Sequence, residues 1–233
     1  MKAVVSRFGA GRGVALAAVL AAALLVPALA RTAVAASPAE ELVAEARFSI
    51  ERLLGDPNLP DLETYVKNAR GVLIIPELVK GSFFVGAEGG SGVLMVRGSD
   101  GTWSSPAFYT LAAGSFGLQF GGQVSEVVFT LMTEGAVQAL LANEIKLGAD
   151  ASVAIGPFGL GVEVSTTTNL DADIYAFAKT VGLFGGGSLE GAKLFSRDSW
   201  NDAYYGASAS PRAVVIERIF FNPQAEPLRS ALP

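Results

Sequence analysis

Ile145-Lys-Leu-Gly-Ala-Asp-Ala-Ser-Val-Ala-Ile-Gly-Pro-Phe-Gly-Leu-Gly-Val-Glu-Val-Ser165 is the stretch that decides the fold class. Ile145, Leu147, Ala149, Ala151, Val153 and Ile155 alternate with smaller or polar residues, Gly156-Pro157 interrupts, and Phe158, Leu160, Val162 and Val164 alternate again. A period of two puts successive side chains on opposite faces of a strand, so the stretch predicts two half-buried antiparallel strands joined by a tight turn. Working backward, Phe116, Leu118 and Phe120 show the same alternation, but beyond Gly121-Gly122 the apolar parity changes to Val127, Phe129 and Leu131. A bulge at the glycine pair would produce that change. Ser99-Asp100-Gly101 is a hairpin signal between Val93 to Arg97 and the Trp103 segment. Thr133 to Ala142, carrying Ala136, Val137, Leu140 and Leu141, is the one helical pattern inside the strand region.

Many of the 27 glycines fall on these strands: Gly86, Gly117, Gly148, Gly159, Gly161, Gly185 and Gly187. Glycine weakens a strand, so this density predicts bends, bulges or close approach of another backbone or a ligand: a strongly curved sheet or partial barrel first, with a ligand groove as the compatible alternative. Upstream lies an amphipathic helix, capped by Ser37 and Pro38, with Glu40 and Glu41 at its positive end and Gly55 at its stop. Leu42, Val43, Ala46, Ile50, Leu53 and Leu54 share one face, and Glu41, Glu45, Glu51, Arg47, Arg52 and Phe48 lie opposite. A second short helix is expected from Asp61 to Ala69. The fold class is therefore α+β: a curved, mostly antiparallel, glycine-rich sheet or partial barrel with flanking N-terminal, internal and C-terminal helices. A transmembrane barrel would also alternate, but the helical opening, the internal helix and the proline-rich end from Asn222 to Pro233 argue against it.

Residues 1–36 read as a secretory signal peptide: Lys2, Arg7 and Arg12, an Ala/Val/Leu run from Val14 to Leu29, and small residues at Ala33, Ala35 and Ala36, with the cut after Ala35 or Ala36. A retained anchor is the alternative, but the run is short, holds Pro27 and ends at Arg31. The expectation is an exported protein, periplasmic or secreted, whose mature chain, 37–233, is one domain with no transmembrane span.

Export changes the charge. Four of the 17 bases and none of the 22 acids lie in the first 36 residues, leaving 13 bases against 22 acids, a net −9. Nucleic acid is not an expected partner, because counterion release needs clustered Lys and Arg. The chain has no cysteine and no histidine, which removes disulfides, thiol nucleophiles, Ser-His-Asp catalysis and His-ligated zinc. Neither Gly86 to Gly92 nor Gly182 to Ser188 matches a nucleotide-binding glycine loop. Asn169, Asp171 and Asp173 alternate along one strand but lack the glycine and terminal Glu of a calcium loop. Glu88, Glu126, Asp150, Glu163 and Glu190 offer carboxylates with no sign that any two converge. Trp103 and Trp200, each beside polar residues, read as core anchors, with a ligand mouth the alternative. No enzyme activity, cofactor or metal is expected.

An ordered set of segments then carries a resemblance. Ala69-Arg-Gly-Val-Leu-Ile-Ile-Pro76, Gly92-Val-Leu-Met-Val-Arg97, Asp100-Gly-Thr-Trp-Ser-Ser-Pro-Ala-Phe108, Gly117-Leu-Gln-Phe-Gly-Gly-Gln123, Leu147 to Ser152, Gly156-Pro157, Gly182-Leu-Phe184 and Ser188-Leu-Glu-Gly191 follow one another as in the SYLF, or Ysc84-type, domain. The chain resembles that family over residues 42–206, with 207–233 as an extension. The resemblance implies lipid binding: eukaryotic members bind phosphoinositide membranes, some also bind actin, and bacterial members are mostly exported. Where many relatives have a base before Gly-Leu-Phe, this chain has Val181, while Lys179 and Lys193 remain. The expected function is an exported, non-enzymatic lipid-binding protein, and the alternative is a structural or protein-interaction module of the cell envelope. The expected partner is a lipid or membrane surface, with an envelope protein as the second possibility. Arg70, Lys80, Arg97, Lys179 and Lys193 are the candidate headgroup ligands, each a charged donor to phosphate.

Overall fold

A computed structural model describes residues 36–82, 85–116, 121–142, 144–155, 172–182 and 191–233. It opens with α1, Pro38–Leu54, which starts as the sequence requires: Ser37 Oγ accepts from the Glu40 N–H at 3.3 Å and Glu40 Oε2 accepts from the Ser37 N–H at 2.7 Å, a reciprocal capping box. The short α2, Leu62–Asn68, leads into four long strands: β1 (Gly71–Ser82), β2 (Val85–Val96), β3 (Ala107–Phe116) and β4 (Gly121–Leu131). The internal helix α3, Glu134–Leu140, is capped by Thr133. Then come β5 (Glu144–Lys146), β6 (Val153–Ile155), β7 (Ile174–Gly182) and β8 (Lys193–Ser196), followed by α4 (Asp198–Tyr205), α5 (Pro211–Val215), a 3-10 turn at Pro223–Ala225 and α6 (Glu226–Ala231).

The described strands form a single eight-stranded sheet in the order β5-β8-β3-β2-β1-β4-β7-β6, with every pair antiparallel except β6 and β7. Its two edge strands are neighbours in sequence, and that alone requires curvature. Laid flat, eight strands about 4.8 Å apart would separate the edges by roughly 34 Å. The segment 147–152 between β5 and β6 reaches at most about 25 Å, and a turn shortens it further: Leu147 and Ala151 bridge, and Asp150 Oδ2 accepts from the Lys146 N–H at 2.6 Å. The sheet must therefore curl until its edges approach.

This arrangement corrects the reading of residues 145–155 as one strand. Gly148 adopts a left-handed φ of 83°, and the turn it makes sends Ile145 and Val153 to opposite edges. The partner strand expected over 158–165 lies outside the described residues, as do Leu118 and Phe120.

No bulge lies at Gly121-Gly122: Phe116 ends β3 and Gly121 begins β4, so the two apolar parities belong to different strands, and the glycine pair stands in regular register with Gly81 and Ser82. The bulge lies in β1 instead. In β1 the register slips between Ile74 and Glu77 against β2 and between Ile75 and Leu78 against β4, so the extra residue belongs to the central strand. Pro76 lies within it, where a residue without an N–H does least harm to the ladder. The bulge pushes backbone against β2, where a Cβ on Gly90 would stand 2.5 Å from the Glu77 carbonyl oxygen and one on Gly92 would stand 2.6 Å from that of Ile74. Close approach of backbone, with no ligand involved, explains these two glycines.

Both faces of the sheet are covered near the β1 N-terminus. The inner face gathers Leu73, Ile75, Leu94, Tyr109, Val127, Phe129 and Ile145 with α3 and Val214 and Val215 of α5. On the outer face Val72, Ile74, Met95, Phe108, Val128 and Phe177 pack with α1, α2 and α6. Burial of these apolar side chains contributes about 1.5–3 kcal/mol each before the entropic cost of ordering. Among the described residues no helix is long and apolar enough to cross a membrane.

Candidate functional site

Past the bulge, the two faces of the sheet change character. On the inner face Leu78 is followed by Lys80, whose Nζ lies 3.7 Å from Glu88 Oε2 of β2, directly opposite in register. Their side chains are only 9% and 12% exposed. Beside them Gln123 Nε2 donates to Ser125 Oγ at 2.8 Å and to Thr180 Oγ1 at 3.1 Å, and the two hydroxyls lie 2.9 Å apart. Burial raises the Glu88 carboxyl above its ordinary value, and Lys80 opposes that rise without cancelling it.

On the outer face the same stretch of β1 places Glu77 and Val79 beside α1. A groove of about 270 Å³ runs there, lined by Pro38, Glu41, Leu42 and Glu45 of α1, Glu77 and Val79 of β1, Ser91 of β2 and Trp200 of α4. Arg197 supports it from beneath: its Nη1 donates to Ser91 Oγ at 2.6 Å and its guanidinium carbon sits 3.6 Å from the centroid of the Trp200 ring. Val79 continues into an exposed apolar pair, because it stands opposite Val124 in the β1–β4 register. Val79 is 46% exposed, Val124 42% and Phe48 51%. Glu41, Glu45, Phe48 and Arg52 form one stripe of α1, at spacings of four, three and four residues. Its near end lines the groove with Val79, and at its far end Arg52 pairs with Glu126, two residues along β4 from Val124. The stripe thus brackets the valine pair.

The five candidate bases do not form one cluster. Arg70 is exposed just before β1, and its carbonyl accepts from the Arg97 N–H at 2.8 Å. Arg97 is occupied by carbonyls of Pro233 at 2.7 Å, Gly101 at 3.2 Å and Val66 at 3.3 Å, stacks over Trp103, and has its pKa lowered by burial. Lys80 lies inside the curl with Glu88. Lys179 reaches from β7 to Asp56, Nζ to Oδ2, at 2.7 Å. Lys193 is exposed on β8, in register with Lys146 of β5.

The carboxylates weighed for acid–base work are likewise dispersed where they are described. Glu88 faces Lys80, Glu126 faces Arg52, and Asp150 holds the turn after β5, while Glu163 and Glu190 lie outside the described residues. Asp173 accepts from Ser152 Oγ at 2.7 Å and from Thr133 Oγ1 at 3.0 Å, and Asn169 and Asp171 are outside the described residues. No group of His, Asp or Glu among the described residues has the arrangement of a metal site.

The groove was not visible from the sequence. Glu41, Glu45 and Phe48 stand out on the polar face of α1, but nothing local says that Glu77 and Val79 turn toward them. Pro76 was the available signal: a proline in the middle of an apolar strand marks a bulge, and a bulge flips the facing of everything after it.

Comparison with known proteins places these features in a family context. The Ysc84 family, described as "Las17-binding protein actin regulator", matches residues 112–233. Protein YSC84 of Saccharomyces cerevisiae is 35% identical over 166 residues, 70% of this chain and 35% of that protein. LAS seventeen-binding protein 3 of the same species is 33% identical over 166 residues, 70% of this chain and 36% of its own length. SH3 domain-containing YSC84-like protein 1 of Bos taurus is 33% identical over 168 residues, covering 72% of this chain and 49% of the relative. This chain therefore spans about a third to a half of these curated relatives.

Proposed function

The chain belongs to the Ysc84 family, and from that premise we propose that it is an exported, non-enzymatic lipid-binding protein that docks on a bilayer surface. The observation that carries the reading is the exposed apolar set beside α1. Val79 and Val124 stand side by side in register, and Phe48 lies on the helix stripe that brackets them. Three large apolar side chains at one flank of an amphipathic helix are what an interfacial docking surface needs. The packed inner face favours docking over enclosure of acyl chains, because the apolar residues there are already buried against one another. Absence of cysteine and histidine supports a role without turnover, and the basic, apolar and small-residue pattern of 1–36 supports export.

A second reading follows from the family's description and from one relative's name, both of which refer to binding of another protein, Las17. On that reading the same flank takes an envelope protein. Liposome co-sedimentation combined with native mass spectrometry of extracts separates the two. Bilayer binding or co-purified lipid is expected; a stoichiometric protein partner with neither would replace the lipid reading by the second.

A further inference from the structure

Most carboxylates around α1 have partners of their own. Glu40 closes the capping box, Glu51 takes Arg47, Glu126 takes Arg52 and Asp56 takes Lys179. Glu41, Glu45 and Glu77 differ: all three line the one groove, and among the described residues none of their carboxylates has an ion pair or hydrogen bond. Arg197 is the cation behind this groove, and its guanidinium is already committed to Ser91 and the Trp200 ring. Three like charges line one small space, and among the described residues its lining holds no cation while Arg197 behind it is committed elsewhere, which leaves the groove short of positive charge.

Size and lining decide which cation fits. A bare divalent ion requires a full shell of oxygen ligands, whereas this groove mixes its carboxylates with Pro38, Leu42, Val79 and the Trp200 ring. An organic ammonium matches both halves, with charge for the carboxylates and carbon for the apolar wall. A volume of about 270 Å³ is of headgroup size. On its open side Val79 leads to Val124, the surface assigned above to the bilayer. An anionic headgroup would meet three carboxylates on a mature chain of net charge −9.

Resting on the lipid-docking reading, we infer that this groove receives the ammonium end of a zwitterionic phospholipid headgroup, of the ethanolamine or choline type. The acyl chains of that lipid then lie toward Val79, Val124 and Phe48. Selectivity comes from the carboxylates and depth of docking from the apolar side chains.

The test uses the purified protein in two arms. In the first, co-sedimentation compares vesicles of phosphatidylethanolamine and phosphatidylcholine with vesicles of phosphatidylglycerol. The wild type prefers the zwitterionic vesicles, and the triple variant Glu41→Gln, Glu45→Gln, Glu77→Gln loses that preference by on the order of tenfold. In the second arm, choline phosphate and ethanolamine phosphate shift the fluorescence of Trp200, and the triple variant abolishes the shift. Circular dichroism confirms that the variant is folded, as expected for exposed residues. Vesicle binding that is unaffected by the triple variant, or that favours phosphatidylglycerol, overturns the headgroup assignment and leaves bilayer docking standing. A Trp200 response without binding to any vesicle supports the ammonium site and overturns bilayer docking. Failure of both arms overturns both.

Discussion

Gly90 lies so close to the bulge of β1 that a Cβ placed on it would stand 2.5 Å from the carbonyl oxygen of Glu77 and 2.9 Å from Ile75 Cγ2. That contact involves backbone, so no rotamer change relieves it. Gly90→Ala is expected to cost about 1–3 kcal/mol through forced movement of packed groups. Gly81→Ala, on the same sheet with nothing within 4 Å of its added Cβ, is expected to stay within about 0.5 kcal/mol of the wild type. Urea unfolding of the two variants checks the contrast, and equal effects would remove the bulge as the reason for glycine at 90.

Lys80 and Glu88 make the second prediction. Removing one member of a buried pair strands the other, so Lys80→Met alone should destabilise by about 3–5 kcal/mol. The double variant Lys80→Met, Glu88→Leu should recover most of that loss, since apolar replacement of both charges avoids their desolvation. Burial holds the Glu88 pKa above its unfolded value, so the folded state binds this proton more tightly. Its ionisation therefore opposes folding at neutral pH, and that opposition fades as pH falls through the raised folded value. A double-mutant cycle by thermal unfolding at two pH values measures both effects.

Asp56 has the opposite sign. The Lys179 ammonium, the Asn58 N–H and the Asn58 amide hold its carboxyl below the ordinary carboxylate value, although burial pulls the other way. Its stabilisation is present above the unfolded pKa and is lost as pH falls through the lowered folded pKa. Asp56→Asn should lower the unfolding temperature at pH 7 and flatten the acid limb of the stability profile below about pH 5. Thermal melts across pH 2 to 7 check this, and a parallel shift at every pH would contradict it.

Docking through the α1 flank predicts that Val79→Asp with Val124→Asp removes vesicle binding while leaving the fold intact, because both side chains are nearly half exposed. Phe195→Asp, on β8 rather than beside α1, serves as the control at another exposed apolar position. Co-sedimentation of the two variants decides the surface. Equal loss in both would mean that the apolar residues act without regard to place.

Local signals in the sequence suffice where a single segment decides its own structure. The Ser37–Glu40 capping box, the helix after Thr133 and the turn at Gly101, with its φ of 80°, each depend on neighbours within a few residues. Curvature was also legible, through glycine density and alternation. Register was not, because alternation alone does not show where one strand ends: the parity change at Gly121-Gly122 marks the passage from β3 to β4, and the bulge sits at Pro76 in the central strand. The division of Ile145 from Val153 escaped for a related reason. Alternation continues through Gly148 whether or not the chain turns there, and only the left-handed glycine and the Asp150 hydrogen bond show that it does. Among the candidate bases, charge type was readable but company was not: Asp56 for Lys179 and the carbonyls for Arg97 come from distant segments.

Strand order also dictates when the molecule can be finished during synthesis. β1 to β4 form a contiguous block, yet β5 and β6, which leave the ribosome next, have their ladder partners in β8 and β7, both made later. Among the described strands, a nascent chain that stops before Ile174 thus carries two whose ladder partners have yet to be made, beside a block that still awaits β7 and β8 on its flanks. Until the segment through Ser196 emerges, those edges remain open templates on which a neighbouring chain can pair.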